Sequence, residues 1–281
     1  MDKETPDPVV VVRGVVKRYA GREVLRGVDL EVRAGETMVI MGGSGDGKST
    51  LLRLMIGSIV PDAGSIELLG QDITRLDEPS LDAVRRQFGI LFQSGALFNS
   101  MTVAQNVALP LREHTDLDEQ TIDIMVRIKL ELVGLRHAAD LMPAELSGGM
   151  KKRAGLARAI ALDPRILFYD EPSAGLDPVT SAEIDQLIMD LTNKLGVTSV
   201  VVTHEMDSAF RIADRMAMLD GGRIVRTGPR EDFERIRDGA EPADVQTALI
   251  RQFLRGDSEG PITQRRGDGY EQDILEMARE R

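Results

Sequence analysis

The chain has 281 residues, 42% hydrophobic and 29% charged, with a formal net charge of −11. That length and balance suit a globular protein with a sizeable core, and the acidity argues against nucleic acid as a partner, because a sequence-independent binder needs a cationic face. The absence of cysteine removes disulfides and thiolate-held metal; the acidic start MDKETPDPVV lacks a secretory h-region, and no run reaches the roughly 18 apolar residues of a membrane span. A membrane role would therefore require another chain to do the spanning.

In chain order, VVVVRGVVKRY (Val9 to Tyr19) is rich in β-branched residues and is predicted as a strand. A second alternating strand runs from Glu23 to Val32, and TMVIM (Thr37 to Met41) reads as a short buried strand. A glycine-rich loop follows, then a helix from Ser49 stopped at Gly57, then a strand in SIELLG. Helical spacing covers Leu117 to Gly134 and Gly148 to Leu162. Alternation then returns: a buried strand at Arg165 to Asp170, a helix at Ser181 to Leu195, a strand at Val197 to His204 and a short helix at Met206 to Ala213. A hairpin about Asp220-Gly221-Gly222 comes next. Strands alternating with helices imply an α/β fold with a mainly parallel sheet. From Gly256 the composition predicts an extended tail, then a short helix from Tyr270 to Arg279.

The loop GGSGDGKST matches the P-loop pattern: Gly42, four residues, then Gly47, Lys48 and Ser49. Its glycines let backbone N–H groups of Gly42, Gly43, Ser44, Gly45, Asp46 and Gly47 turn towards a phosphate chain, with the next helix aiming its N-terminus at the same anion. Lys48 would reach the β- and γ-phosphates, and Ser49, followed by Thr50, would ligate Mg²⁺. The bland alternative is an ordinary glycine turn, which the buried strand before the loop and the helix after it disfavour. In RILFYDE, Asp170 closes a buried strand as a Mg²⁺-orienting carboxylate would, and Glu171 is placed to polarise an attacking water. A solvated strand end is the competing reading.

LSGGMKKRAGLARAIALDP, Leu146 to Pro164, could be no more than a basic amphipathic helix capped by Ser147. It closely resembles the signature motif of the ABC-transporter ATPases, with Met150 where most members carry glutamine. Gln93 in ILFQSG resembles the Q-loop glutamine, SAGLDP with Asp177 the D-loop, His204 in VVVTHE the switch histidine, and Tyr19 the aromatic that stacks on adenine. The resemblance covers about Val9 to Phe253. It implies a P-loop NTPase with a RecA-like core, an antiparallel β-subdomain and a helical subdomain at about 94–161, within an ATP-binding domain at 1–255 followed by an extension at 256–281. It implies catalytic roles for Glu171, His204, Lys48 and Gln93, metal ligation by Ser49, Gln93 and Asp170, and ATP with Mg²⁺ as ligands. In a head-to-tail homodimer, Ser147, Gly148, Gly149 and Asp177 would complete the partner's nucleotide site.

FQSGALFNSMTVAQNVALPLREH, the Met150 segment and RQFLRGDSEGPI look like the ATPases of Mla phospholipid-transport systems. That likeness implies a membrane permease, a STAS-domain protein and a lipid-binding substrate protein as partners, and a peripheral place on the cytoplasmic face of the inner membrane. Alternatives are the ATPase of a nutrient importer, a soluble ABC ATPase of DNA repair or translation, and a catalytically dead scaffold. The tail's Ile262, Tyr270, Ile274, Leu275 and Met277 are expected to serve assembly. Asp46 stands where related loops carry a small residue; its side chain is expected to face outward, away from the phosphates, and to be tolerated.

Overall fold

The computed structural model describes residues 7–239, 242 and 244–264, so the expected helix at 270–279 lies outside the described residues. The described chain packs as two compact units, one ending at Thr227 and one beginning at Gly228.

In the first unit, β1 (Pro8–Tyr19) and β2 (Arg22–Arg33) form a long antiparallel pair. β1 also pairs antiparallel with β4 (Ala63–Leu68), and a short β5 (Gln71–Asp72) completes the four-stranded sheet β2-β1-β4-β5. The second sheet has six strands. β3 (Thr37–Gly42), β6 (Phe88–Leu91), β7 (Ile166–Asp170), β8 (Thr198–Thr203) and β9 (Arg215–Asp220) run parallel in the order β9-β3-β8-β7-β6. β10 (Arg223–Pro229) lies beside β9 across the Gly221-Gly222 turn. Every residue of β3 and β8 is buried, which is why each carries a continuous apolar run at its centre, residues 38–41 and 200–202, rather than an alternating pattern. Residues from both sheets share one core, where Phe88 and Phe168 meet edge to face with centroids 5.4 Å apart.

Helix starts follow local chemistry. Asp77 caps α2 (Glu78–Arg85), Asp118 caps α4 (Glu119–Leu132), and Thr102 with Gln105 forms a capping box at α3 (Val103–His114). Ser147 caps α5 (Gly148–Ala159) and Asp177 caps α6 (Pro178–Leu195). α1 (Lys48–Met55), which follows β3, has no side-chain cap, and α7 (Met206–Ile212) follows β8. α3, α4 and α5 pack on one another as a helical layer.

The second unit has α8 (Arg230–Asp238) and α9 (Val245–Arg255). Residues 256–264 differ from the extended chain expected from their composition: they turn back on α9. The buried Gln252 amide donates to Asp257 O (3.2 Å) and Thr263 Oγ1 (3.2 Å) and accepts from Ile262 N (2.7 Å). One buried polar side chain thus satisfies backbone that composition alone would leave in water.

Candidate nucleotide and phosphoryl-transfer site

β3, β8 and β7 are neighbours in the parallel sheet, and the chain leaves each at its carboxyl end into a predicted site segment. The glycine loop follows β3, His204 follows β8, and Asp170 ends β7 with Glu171 next after it. Residues more than 120 positions apart in sequence are thereby brought to one edge, where parallel sheets offer a crevice to ligands.

The loop needs glycine at its first position: a Cβ on Gly42 would lie 2.1 Å from Leu219 O. The Lys48 side chain is buried and curls back, its Nζ donating to Gly42 O (2.8 Å) and Gly43 O (2.9 Å). Burial lowers its proton affinity, opposed by the negative charges of Glu171, Asp46 and Asp170. Ser49 is exposed and Thr50 half-buried at the start of α1. The expectation that Asp46 faces outward is corrected. Its half-buried carboxylate accepts from Gly43 N (2.7 Å) and from Gly221 N (3.3 Å) in the β9–β10 turn. Among the described residues no cation is its hydrogen-bond partner; two backbone amides are, because the loop's tight curl leaves Gly43 N–H facing the side chain three residues on.

Glu171 is the most constrained residue of the site. It has φ +49°, a left-handed conformation that costs a non-glycine residue about 1 kcal/mol or more. Its N–H donates to Val202 O (2.9 Å), and its carbonyl accepts from Ala174 N (3.2 Å) and from Lys152 Nζ (2.9 Å). Its side chain meets His204 twice, Oε1 with Nδ1 (2.8 Å) and Oε2 with the backbone N (3.3 Å). The carboxylate is therefore aimed from the backbone outward. Burial raises the Asp170 carboxyl's proton affinity, and Glu171 raises it further, against Arg53, Lys152 and Lys48. Asp170 Oδ1 is buried with no hydrogen-bond partner among the described residues, a cost that a bound cation would remove. The donor set fits Mg²⁺, which favours one carboxylate, a hydroxyl and phosphate oxygens over a protein-only cage; among the described residues no group of three His, Cys, Asp or Glu side chains forms such a cage.

The other predicted residues are arranged differently. Ser147 and Gly148 are exposed at the start of α5, Gly149 is buried behind them, and the Ser147 hydroxyl accepts from Met150 N (3.3 Å) of its own helix. Asp177 is exposed and spends its carboxylate on Val179 N, Thr180 N and Thr180 Oγ1. Gln93 is exposed in a segment tied to α5, where Arg158 donates to Ala96 O (2.9 Å) and Gly95 O (3.3 Å). Tyr19 is 43% exposed at the end of β1, with Lys17 Nζ 5.6 Å from its ring centroid.

Two features escaped the sequence reading. Lys152 is one. The other is Asp185, fully buried on α6, which accepts from Ser208 Oγ (2.5 Å) and Ser173 Oγ (3.5 Å) and pairs with Arg211. It joins the segment after Glu171 to the helix after His204. An acid on the buried side of an otherwise amphipathic helix was the available signal.

The ABC transporter family model matches residues 25–174. The intermembrane phospholipid transport system ATP-binding protein MlaF of Escherichia coli (strain K12) is 44% identical over 268 residues, covering 95% of this chain and 96% of the relative. The probable ribonucleotide transport ATP-binding protein mkl of Mycobacterium leprae is 43% identical over 271 residues, covering 96% of this chain and 74% of the relative. Among solved structures, the dimeric post-hydrolysis state of the ATP-binding cassette MJ0796 bound to ADP and Pi superposes with a TM-score of 0.73 and 31% identity, covering 79% of this chain and 98% of that one.

Proposed function

The chain belongs to the ABC transporter family as an ATP-binding, ATP-hydrolysing subunit, and from that premise we propose that it drives phospholipid transport by a separate membrane permease. The observation that carries the catalytic part is the meeting of the P-loop, Asp170, Glu171 and His204 at the ends of three adjacent strands. Loop amides and Lys48 bind the phosphates. Lys48 must exchange its present carbonyl partners for phosphate oxygens, and a charge-assisted bond makes that exchange favourable. Tyr19 offers an exposed ring to the adenine. Ser49, Gln93 and Asp170 would hold Mg²⁺, which when bound neutralises charge on the phosphates. Glu171, oriented by His204, takes the proton of the attacking water.

Ser147, Gly148, Gly149 and Asp177 serve the nucleotide held by a second copy of the chain. The dimeric state of the MJ0796 cassette structure and the outward presentation of Ser147 support this reading. No described helix is long and apolar enough to cross a membrane; the proposed place is peripheral, on the cytoplasmic face, beside the permease. The first unit also has a cleft of about 620 Å³, lined by Arg85, Phe88, Phe92, Pro110, His114 and Arg158, a concave surface suited to a permease segment. A STAS-domain protein and a lipid-binding protein complete the proposed assembly, with the ATP-binding domain at 1–255, its helical subdomain at about 94–161 and an extension at 256–281.

The two relatives' names differ in cargo, and 44% against 43% identity does not separate them; coverage of nearly the whole MlaF relative favours phospholipid. The test is co-purification with the membrane partner, reconstitution into vesicles, and measurement of ATP-dependent phospholipid transfer beside ribonucleotide transfer. Phospholipid movement abolished by Glu171→Gln is expected; ATP-driven ribonucleotide movement without lipid movement would overturn the cargo reading.

A further inference from the structure

We propose that Lys152 is a positioning residue that ties the signature end of α5 to this chain's own Glu171, so that engagement of Ser147 by a partner's nucleotide sets the acid at the other site. The proposal rests on the reading of Glu171 as the base and of Ser147 as acting in trans.

Lys152 is 5% exposed, unusual for an ammonium group unless it is held. It is on α5, within two turns of the Ser147 cap, and its Nζ crosses to the Glu171 carbonyl at 2.9 Å. Burial lowers its proton affinity, while Glu205, Asp170 and Glu171 act to keep it charged. The group it grips is the one with strained backbone: φ +49° in a glutamate persists only where surrounding contacts impose it. Val202 O holds the residue from one side, Ala174 N and Lys152 from the other, and His204 fixes the carboxylate. Of these, Lys152 alone comes from α5. A short stretch of α-helix is stiff, so displacement of its exposed N-terminal end moves the Lys152 attachment, and with it the peptide that follows Glu171. Each chain's signature would thereby report to its own base, coupling two sites that the head-to-tail arrangement places on different nucleotides.

The test uses Lys152→Met, which removes charge and donor at similar length, and Lys152→Arg, which restores both. Lys152→Met is expected to keep ATP affinity within about threefold, lower kcat at least about tenfold, and reduce the cooperativity of hydrolysis in ATP, with Lys152→Arg recovering most of the loss. Mixed dimers then separate positioning from packing. In heterodimers isolated through different tags on the two chains, with Lys152→Met on one chain and Glu171→Gln on the other, both sites still hold ATP, the one remaining Glu171 is the released one, and turnover should stay low. With both substitutions on one chain and none on the other, the working Glu171 keeps its own Lys152, and turnover should be several-fold higher. Equal turnover in the two arrangements, or Lys152→Met with ordinary kcat and cooperativity, overturns the proposal. Should Lys152→Met fail to fold, Lys152→Gln in the same two arrangements gives the same decision. Glu171→Gln alone and the mixing of Lys48→Ala with Ser147→Arg check the underlying reading separately.

Discussion

The loop after β3 and the turn before α5 are both glycine-rich and both open a helix, yet one is folded onto itself and the other faces outward. In the first, Lys48 is held by Gly42 and Gly43 carbonyls, and the Gly43 amide is held by Asp46. In the second, Ser147 and Gly148 are exposed, and the Ser147 hydroxyl reaches no further than Met150 N. A helix N-terminus favours an anion in either place. In the first, Lys48 lies on the loop's own carbonyls with Asp170 and Glu171 within electrostatic reach; in the second, the lysine of the helix, Lys152, is buried and donates to the Glu171 carbonyl. On the proposed reading, the difference teaches that one chain carries a phosphate loop closed on its own carbonyls until a phosphate displaces them, and a separate, outward-facing helix start, which is the division of labour a two-chain site requires.

The comparison breaks first at Glu171. Glu171→Gln should lower turnover at least about 100-fold, leave ATP binding intact and accumulate an ATP-bound dimer on size-exclusion chromatography. Retained turnover would remove the base assignment. Lys48→Ala should cost more than about tenfold in ATP affinity or turnover through loss of a charge-assisted phosphate contact, measured by nucleotide titration and phosphate release.

A stability test sharpens the picture of the outward-facing end. A Cβ on Gly149 would lie 2.5 Å from Thr180 Cγ2, on the helix that Asp177 caps. Gly149→Ala should destabilise by about 1–3 kcal/mol in denaturant unfolding, the usual cost of overpacking. Thr180→Ser removes that methyl but keeps the hydroxyl on Asp177, so the double variant should recover much of the loss; strict additivity would mean that the signature turn is not braced by α6.

The smallest effect is expected at Asp46. Asp46→Asn keeps an acceptor for Gly43 and Gly221 while removing a charge that repels phosphate by about 1 kcal/mol. It should tighten Mg²⁺-ATP binding by less than about tenfold. Asp46→Ala removes the acceptor too and should gain less; a tighter Asp46→Ala than Asp46→Asn in isothermal titration would mean the amide contacts do not shape the loop.

What was legible in the sequence follows from the range of the forces involved. The P-loop, the β7 acids and the signature announce themselves because strand, turn and helix are local, and Gly42, Lys48 and Asp170 sit at element ends. The Asp46–Gly221 contact spans 175 positions and Lys152–Glu171 joins a helix to a strand end; neither leaves a local pattern, since a lysine inside an amphipathic helix looks the same whether it meets water or a carbonyl. α2 and α8 were not read as helices for a related reason. Each is short and buries few apolar residues, Leu81 and Val84 in one and Phe233 in the other, so the apolar face is too sparse to stand out among the charged residues around it.

The most direct test of the central claim, that a working site needs two chains, is the specific ATPase activity of Lys48→Ala chains mixed with Ser147→Arg chains. Each variant alone should be nearly inactive, and the mixture should recover activity, because each mixed dimer joins one intact P-loop to one intact signature. A mixture no more active than its inactive parents, over a range of protein concentration in which dimers form, would contradict the account.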